Sequence, residues 1–151
     1  MSDSTADPFV LRRAPFAELT PFEVYDLCRL RVDVFVVEQE CPYPELDGRD
    51  TEPATEHLWL ESDGAVAATI RILDDGATRA IGRVATAAGF RGQGLAARLM
   101  HEGIARCVGF PITLGAQAHL QGWYEQFGFR LSGPGYVEDG IPHVPMRREP
   151  A

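Results

Sequence analysis

Along the chain the spacing of apolar residues changes several times, and each change marks an element. Phe9, Val10 and Leu11 open an extended segment that closes near Ala14-Pro15, because the residue before a proline avoids the helical region. Thr20-Pro21-Phe22-Glu23 follows. A hydroxyl at the cap, proline in the first helical position and glutamate three residues after the cap form a capping box. Val24, Leu27, Cys28, Leu30, Val32, Val34 and Phe35 recur near helical spacing, which carries the predicted helix to about Val37 with one face toward a core. From Glu38 to about Glu56 the period is lost among acidic residues, Pro42, Pro44, Gly48 and Pro53. A surface loop of this length is uncommon inside a domain, and it is either a wall of a binding site or a solvated connection.

Two apolar runs, residues 58–61 and 65–73, flank Ser62-Asp63-Gly64. Asp-Gly between such runs predicts a tight hairpin, since both turn positions tolerate positive φ. A second turn at Asp74-Asp75-Gly76 leads to a strand through Ile81, Val84 and Ala85, making a three-stranded meander. Leu95, Leu99, Met100, Gly103, Ile104 and Cys107 then fall three or four apart and predict a second helix ending near Gly109 and Pro111. A strand over residues 112–115, a short helix over about 120–127 closed by Gly128, and strands near 129–131 and 143–147 complete the pattern. The expected class is α/β or α+β, with one mixed central sheet of about six to seven strands flanked by helices.

Length and charge narrow the function. With 151 residues, the chain is expected to be one domain over residues 9–151 behind a flexible tail over 1–8. Fourteen basic against 22 acidic residues give −8, so nucleic acid and anionic membranes are disfavoured as partners. All the basic residues are Arg, which removes the Lys of a Walker loop and the Schiff-base Lys of pyridoxal chemistry. Cys28, Cys41 and Cys107 are odd in number and widely spaced, arguing against a disulfide framework and for a reducing, cytoplasmic setting. No apolar stretch approaches the length of a membrane span. His57, His143, Asp47 and Asp50 match no metal-ligand spacing, and no metal is expected.

Arg91-Gly92-Gln93-Gly94-Leu95-Ala96 lies between a predicted strand and a predicted helix. A helix N-terminus offers unpaired N–H donors and the positive end of its dipole, and glycine lets those amides approach an anion. A diphosphate suits such a turn, with Arg91 adding a fixed charge. An ordinary strand-to-helix connection is the plainer alternative. A dinucleotide-binding turn is disfavoured, because its third glycine is absent and a meander precedes this one.

Arg91, Gly94 and Ala96 match Arg/Gln-x-x-Gly-x-Gly/Ala, and the chain resembles the GNAT superfamily of N-acetyltransferases, whose acetyl-CoA signature this is. The order of elements is similar too. Arg31-Val32-Asp33-Val34-Phe35-Val36-Val37-Glu38-Gln39, Cys41-Pro42-Tyr43, Glu45-Leu46-Asp47-Gly48 and Glu138-Asp139-Gly140-Ile141-Pro142-His143 resemble the ElaA-like branch. The resemblance implies that Val84, Ala85 and Thr86 pair with the pantetheine arm of acetyl-CoA, and that Arg91, Gly92, Gln93, Gly94, Leu95 and Ala96 hold its diphosphate. It also implies that the thioester lies where this strand and the strand from Ile112 splay apart.

Acyl transfer to an amine needs a neutral nucleophile and a proton for the departing thiolate. In Trp123-Tyr124-Glu125-Gln126-Phe127-Gly128-Phe129 the resemblance implies a tyrosine beside the CoA sulfur, so Tyr124 is the expected general acid; packing alone is its simpler role. His143 and Glu38 lead the candidates for the base, ahead of Glu56 and His57, and Gln39 and His57 are expected to face the acceptor. Cys41 has no adjacent base in sequence and is not expected to be a nucleophile. Half of the acidic residues, 11 of 22, fall between Glu38 and Asp75, which either steers a cationic amine or serves solubility. The implied activity is acetyl transfer from CoA to a small-molecule or peptide amine by direct attack in a ternary complex. A non-catalytic acyl-CoA-binding module is the alternative, and an exposed sheet edge leaves room for a homodimer.

Overall fold

The computed structural model describes residues 6–150. They form three α-helices around one mixed sheet of eight strands. Strands β1 (Val10–Ala14), β2 (Glu56–Ser62), β3 (Ala65–Asp74) and β4 (Arg79–Thr86) run antiparallel in sequence order. Asp63 and Gly64 both take positive φ, 49° and 78°, as the Asp-Gly pair predicts for a two-residue hairpin. Of the expected tail, residues 1–5 lie outside the described residues. Asp7 is engaged, accepting from the Phe9 amide at 3.0 Å and pairing with Arg98 at 2.7 Å.

Helix α1 (Pro21–Val32) begins at the predicted capping box: the Glu23 amide donates to Thr20 Oγ1 at 3.1 Å, and the Thr20 amide donates to the Glu23 carboxylate at 2.9 Å. The expected α-helix to Val37 stops earlier. Asp33–Glu38 forms a π-helical segment, whose wider turn changes the direction in which successive side chains leave the axis. The loop over residues 39–55 then returns to β2.

Helix α2 (Leu95–Arg106) packs its buried face, Leu95, Leu99, Met100 and Gly103, against β2, β3 and β4. Gly103 allows the close approach there, since a Cβ would stand 2.8 Å from Ile70 Cδ1 and 3.2 Å from Ile81 Cδ1. Strand β5 (Ile112–Gln117) runs parallel to β4, and helix α3 (Gln121–Glu125), β6 (Arg130–Leu131), β7 (Tyr136–Glu138) and β8 (Ile141–Arg148) follow. The order across the sheet is β1-β2-β3-β4-β5-β8-β6, with β7 also on β8. The eighth strand exceeds the expected six to seven because β7 is three residues long and follows Gly133-Pro134-Gly135, which conceals it. Its turn, Asp139-Gly140, has φ of 50° and 78°, nearly those of the first hairpin.

Two irregularities in β4 open the sheet. Its register against β3 shifts between Thr69 and Arg71, and Arg83 takes φ of 53°, the mark of a bulge that re-aims side chains. β4 pairs with β5 only at Arg79↔Ile112 and Ala80↔Thr113. Beyond those rungs the two strands diverge, leaving a cleft in the middle of the sheet. Among the described residues, no helix is long and apolar enough to cross a membrane.

Candidate active site

The cleft between β4 and β5 widens into a cavity of about 1090 Å³. The diverging strands supply its floor through Val84, Ala85, Leu114 and Gly115. The π-helical segment supplies Phe35 and Glu38, the long loop Tyr43 and Asp47, α3 Trp123 and Tyr124, and β8 His143. A smaller hollow of about 130 Å³ adjoins it at the start of α2. Thr86, Arg91, Ala96 and Trp123 line both, so the two are continuous.

The hollow is built from backbone. Gly92 and Gly94 have φ of 80° and 72°, the left-handed region that other residues enter at a cost. Gly94 caps α2 with no side chain bonded to the first turn, so the leading amides lie open as an anion cradle. Gly92, Gly94 and Leu95 line only this hollow, Val84, Ala85 and Thr86 reach the large cavity, and Gln93 lines neither. Arg91 is already engaged. Its Nε donates to the Thr86 carbonyl at 3.2 Å, while both Nη atoms grip the Glu38 carboxylate at 2.5 Å. Those hydrogen bonds hold the exposed Glu38 carboxyl below its ordinary range.

Tyr124 projects from α3, whose end is fixed by the Phe127 amide donating to the Tyr124 carbonyl and the Gly128 amide to that of Glu125, both at 3.0 Å. Its ring is 8% exposed and packs edge-on against Trp123 and Phe129. Its hydroxyl makes no hydrogen bond with another described residue and is not among the enclosed polar atoms, so it opens on the cavity. Burial pushes the phenol up to about 12, which keeps it protonated at neutral pH.

His143 stacks on Tyr136, 5.6 Å between ring centres and 14° from parallel, and its Nδ1 lies 2.7 Å from the Ile141 carbonyl. A carbonyl oxygen only accepts, so Nδ1 carries a proton, which leaves Nε2 as the ring nitrogen that can exchange one. Gln39 accepts from Gln117 Nε2 at 3.2 Å across the cavity, tying the end of the π-helical segment to β5.

His57, expected to face the acceptor, stands outside the cavity. It is 3% exposed in β2, its Nε2 donates to the Asp50 carbonyl at 3.0 Å, and it does not line the cavity. Burial lowers its pKa and keeps the ring neutral. Glu56, its neighbour, is paired with Arg106 at 2.6 Å. Among the described residues, no group of three or more His, Cys, Asp or Glu could hold a metal ion.

The acidic loop is largely neutralised by pairs that the sequence did not disclose. Arg31 binds the Glu45 carboxylate and Asp50, the latter at 2.7 Å. Arg71 reaches Asp47 at 2.9 Å and Asp50 at 3.2 Å, and Arg83 reaches Glu45 at 2.9 Å and Asp47 at 3.3 Å. Tyr43 donates to Glu45 at 2.5 Å. Three guanidinium groups thus sit against three carboxylates and clamp the loop to α1, β3 and the bulge of β4. Arg83 and Tyr43 escaped the sequence reading as wall residues, although a glycine inside a strand, here Gly82, signals a bulge beside it. Cys41 is also structural in position, its thiol donating to the Asp139 carbonyl at 3.2 Å.

A splayed parallel pair with an open helix start at one end and a buried tyrosine at the other frames one continuous cavity. The model of the acetyltransferase (GNAT) domain matches residues 24–150, and the chain belongs to this family, whose fold serves acyl-CoA-dependent acyl transfer. It is 46% identical over 143 residues to the UPF0039 protein Rv2851c of Mycobacterium tuberculosis, covering 91% of this chain and 92% of that protein. It is 41% identical over 140 residues to the protein ElaA of Escherichia coli, covering 88% and 92%, and the crystal structure of Escherichia coli ElaA superposes with a TM-score of 0.88 over 93% of this chain and 99% of that one. The crystal structure of an acyl-CoA N-acyltransferase from Pseudomonas aeruginosa, 41% identical, superposes with a TM-score of 0.89 over 93% and 99%.

Proposed function

We propose that the protein is an acetyl-CoA-dependent N-acetyltransferase that passes the acetyl group to an amine by direct attack within a ternary complex. The observation that carries this reading is the continuity of the anion cradle at Gly92 and Gly94, the β4–β5 cleft and the Tyr124 hydroxyl in one cavity. The residues present fit acetyl-CoA: unfilled amides and two left-handed glycines suit a diphosphate, and the β5-facing edge of β4 near Val84, Ala85 and Thr86, beyond its last rung with β5, suits the amides of a pantetheine arm. When bound, acetyl-CoA supplies an activated acyl carbon and a thiolate leaving group.

The remaining work falls to the chain. His143 Nε2 accepts the proton that an ammonium acceptor must lose before its lone pair can form the new C–N bond. Tyr124 donates its phenolic proton to the sulfur as the C–S bond breaks, and recovers it from solvent or from the base. Glu38 is held as an ion pair by Arg91 and serves as a base only after leaving it. Three free cysteines support placement in a reducing compartment such as the cytoplasm.

Release of free thiol from acetyl-CoA, followed across a panel of polyamines, aminoglycosides and peptide amines, tests the reading. Amine-dependent release from the wild type and its loss in Gly94→Glu, where a carboxylate would crowd and repel the diphosphate, are the expected results. Thermal stabilisation by CoA without release by any amine would favour the binding module instead.

A further inference from the structure

Arg91 occupies the junction between the phosphate hollow and the acyl cavity, lining both, whereas Glu38 lines only the cavity. Every nitrogen of the Arg91 guanidinium is committed: Nε to the Thr86 carbonyl and the two Nη atoms to Glu38. Arg98, in the first turn of the same helix, is likewise held by a carboxylate, Asp7 at 2.7 Å. The side-chain charge around the cradle is therefore already balanced by the chain itself. A diphosphate entering the cradle brings two or more negative charges to a guanidinium whose donors a carboxylate occupies, and phosphate oxygens match the same bidentate geometry.

Resting on the reading of the cavity as an acetyl-CoA site, we infer that Glu38 and the diphosphate of the acyl donor compete for Arg91. Binding of the donor exchanges one anion for the other and releases the Glu38 carboxylate into the acceptor cavity. Paired with Arg91, Glu38 is an internal anion that stands where the donor's charge will act. Its pair is half-exposed on both sides, 43% for Arg91 and 47% for Glu38, so water screens it and the exchange is inexpensive. The freed carboxylate then carries an uncompensated negative charge toward an ammonium acceptor, which couples occupancy of the donor half to recognition in the acceptor half.

Calorimetric titration of CoA and of pantetheine, which lacks the diphosphate, into wild type, Glu38→Gln, Arg91→Gln and the double variant tests the exchange. Glu38→Gln removes the competitor without adding charge, so CoA should bind about two- to fivefold more tightly while pantetheine binds as before. The gain should vanish in the Arg91→Gln background. NMR of isotopically labelled glutamate gives an independent readout: the Glu38 carboxyl should return toward its ordinary titration range when CoA, but not pantetheine, is added. Unchanged or weakened CoA binding in Glu38→Gln, an equal gain for pantetheine, or a gain that survives loss of Arg91 would each overturn the exchange while leaving the acetyl-CoA site intact. Failure of the wild type to bind CoA at all would remove both.

Discussion

At the scale of single residues, burial of Tyr124 suits the proton-donor role proposed for it. A phenol already prefers its neutral form at pH 7, and burial drives its pKa up to about 12, so the proton is retained until a developing thiolate takes it. Tyr124→Phe keeps the ring that packs on Trp123 and Phe129 and removes only the hydroxyl. Turnover should fall by about 100-fold or more, the usual range for a lost acid–base group, while calorimetric CoA affinity stays within about twofold. Equal loss of affinity and rate would mean that the hydroxyl binds rather than reacts. The same shift fixes a sign: phenol ionisation contributes no descending limb to the wild-type rate profile until pH approaches about 12. A fall near pH 10 that disappears in Tyr124→Phe would contradict the burial argument. The place of Tyr124, Arg91 and Gly94 beside the cavity and its hollow was legible because each sits in a local motif. Arg83 and Tyr43 were not, because their place in the cavity arises from contacts with Glu45 across 38 and two residues of chain, of which only the second is local.

At the scale of elements, what the sequence displayed well was local and hydrogen-bonded. The capping box at Thr20 and the Asp63-Gly64 turn each involve four residues or fewer, and both formed as their chemistry dictates. The Asp139-Gly140 turn carries the same signal with the same backbone angles, yet its first strand is only three residues long, too short for an alternation to register. The π-helical segment was hidden for a different reason. Its apolar residues fit a 3.6-residue period as far as Val37, and the wider turn is decided by where Phe35, Glu38 and Gln39 must point, a tertiary matter. Helix α2 offers a prediction at this scale. It approaches the sheet through Gly103, where a first carbon already comes within 2.8 Å of Ile70 and 3.2 Å of Ile81. Alanine there gains about 1 kcal/mol of helix propensity against a contact that the tips of two isoleucines can partly relieve, so the change nearly cancels. Gly103→Val adds two further methyl groups and a β-branch, and overpacking costs about 1 to 3 kcal/mol. Urea unfolding should show the valine variant destabilised by roughly 2 kcal/mol, with the alanine variant near wild type.

At the scale of the whole molecule, the formal charge of −8 gives little idea of how charge is arranged. The acidic loop was visible in the sequence as a run of carboxylates, but Arg31, Arg71 and Arg83 lie on α1, β3 and β4, and only folding brings them to Glu45, Asp47 and Asp50. The loop is therefore held to the sheet by ion pairs, with His57 buried beneath it, and Asp47, Asp50 and His57 each lose ground as pH falls. Burial favours the neutral form of Asp47, yet hydrogen bonds from Arg71 and the Arg49 amide outweigh it and bring the carboxyl to about 2; Asp50 is lowered in the same way, with Arg31 as the main opponent of burial. A carboxyl depressed in the native state stabilises it above the unfolded value of 3.8 and ceases to do so as pH drops through the native value. His57 is lowered from 6.5 by burial, so below that pH the unfolded chain takes up a proton that the native ring refuses, and stability again declines. The unfolding free energy, measured by urea titration at a series of pH values, should accordingly fall in two stages, a shallow one beginning below about pH 6.5 and a steeper one below about pH 4. His57→Gln retains an N–H donor for the Asp50 carbonyl without a titrating ring, and should flatten the first stage alone. Asp47→Asn should lessen the second stage while lowering stability at neutral pH, where its ion pairs with Arg71 and Arg83 are lost. A single acid transition unaltered by either substitution would show that the clamp over the cavity does not govern the response to pH.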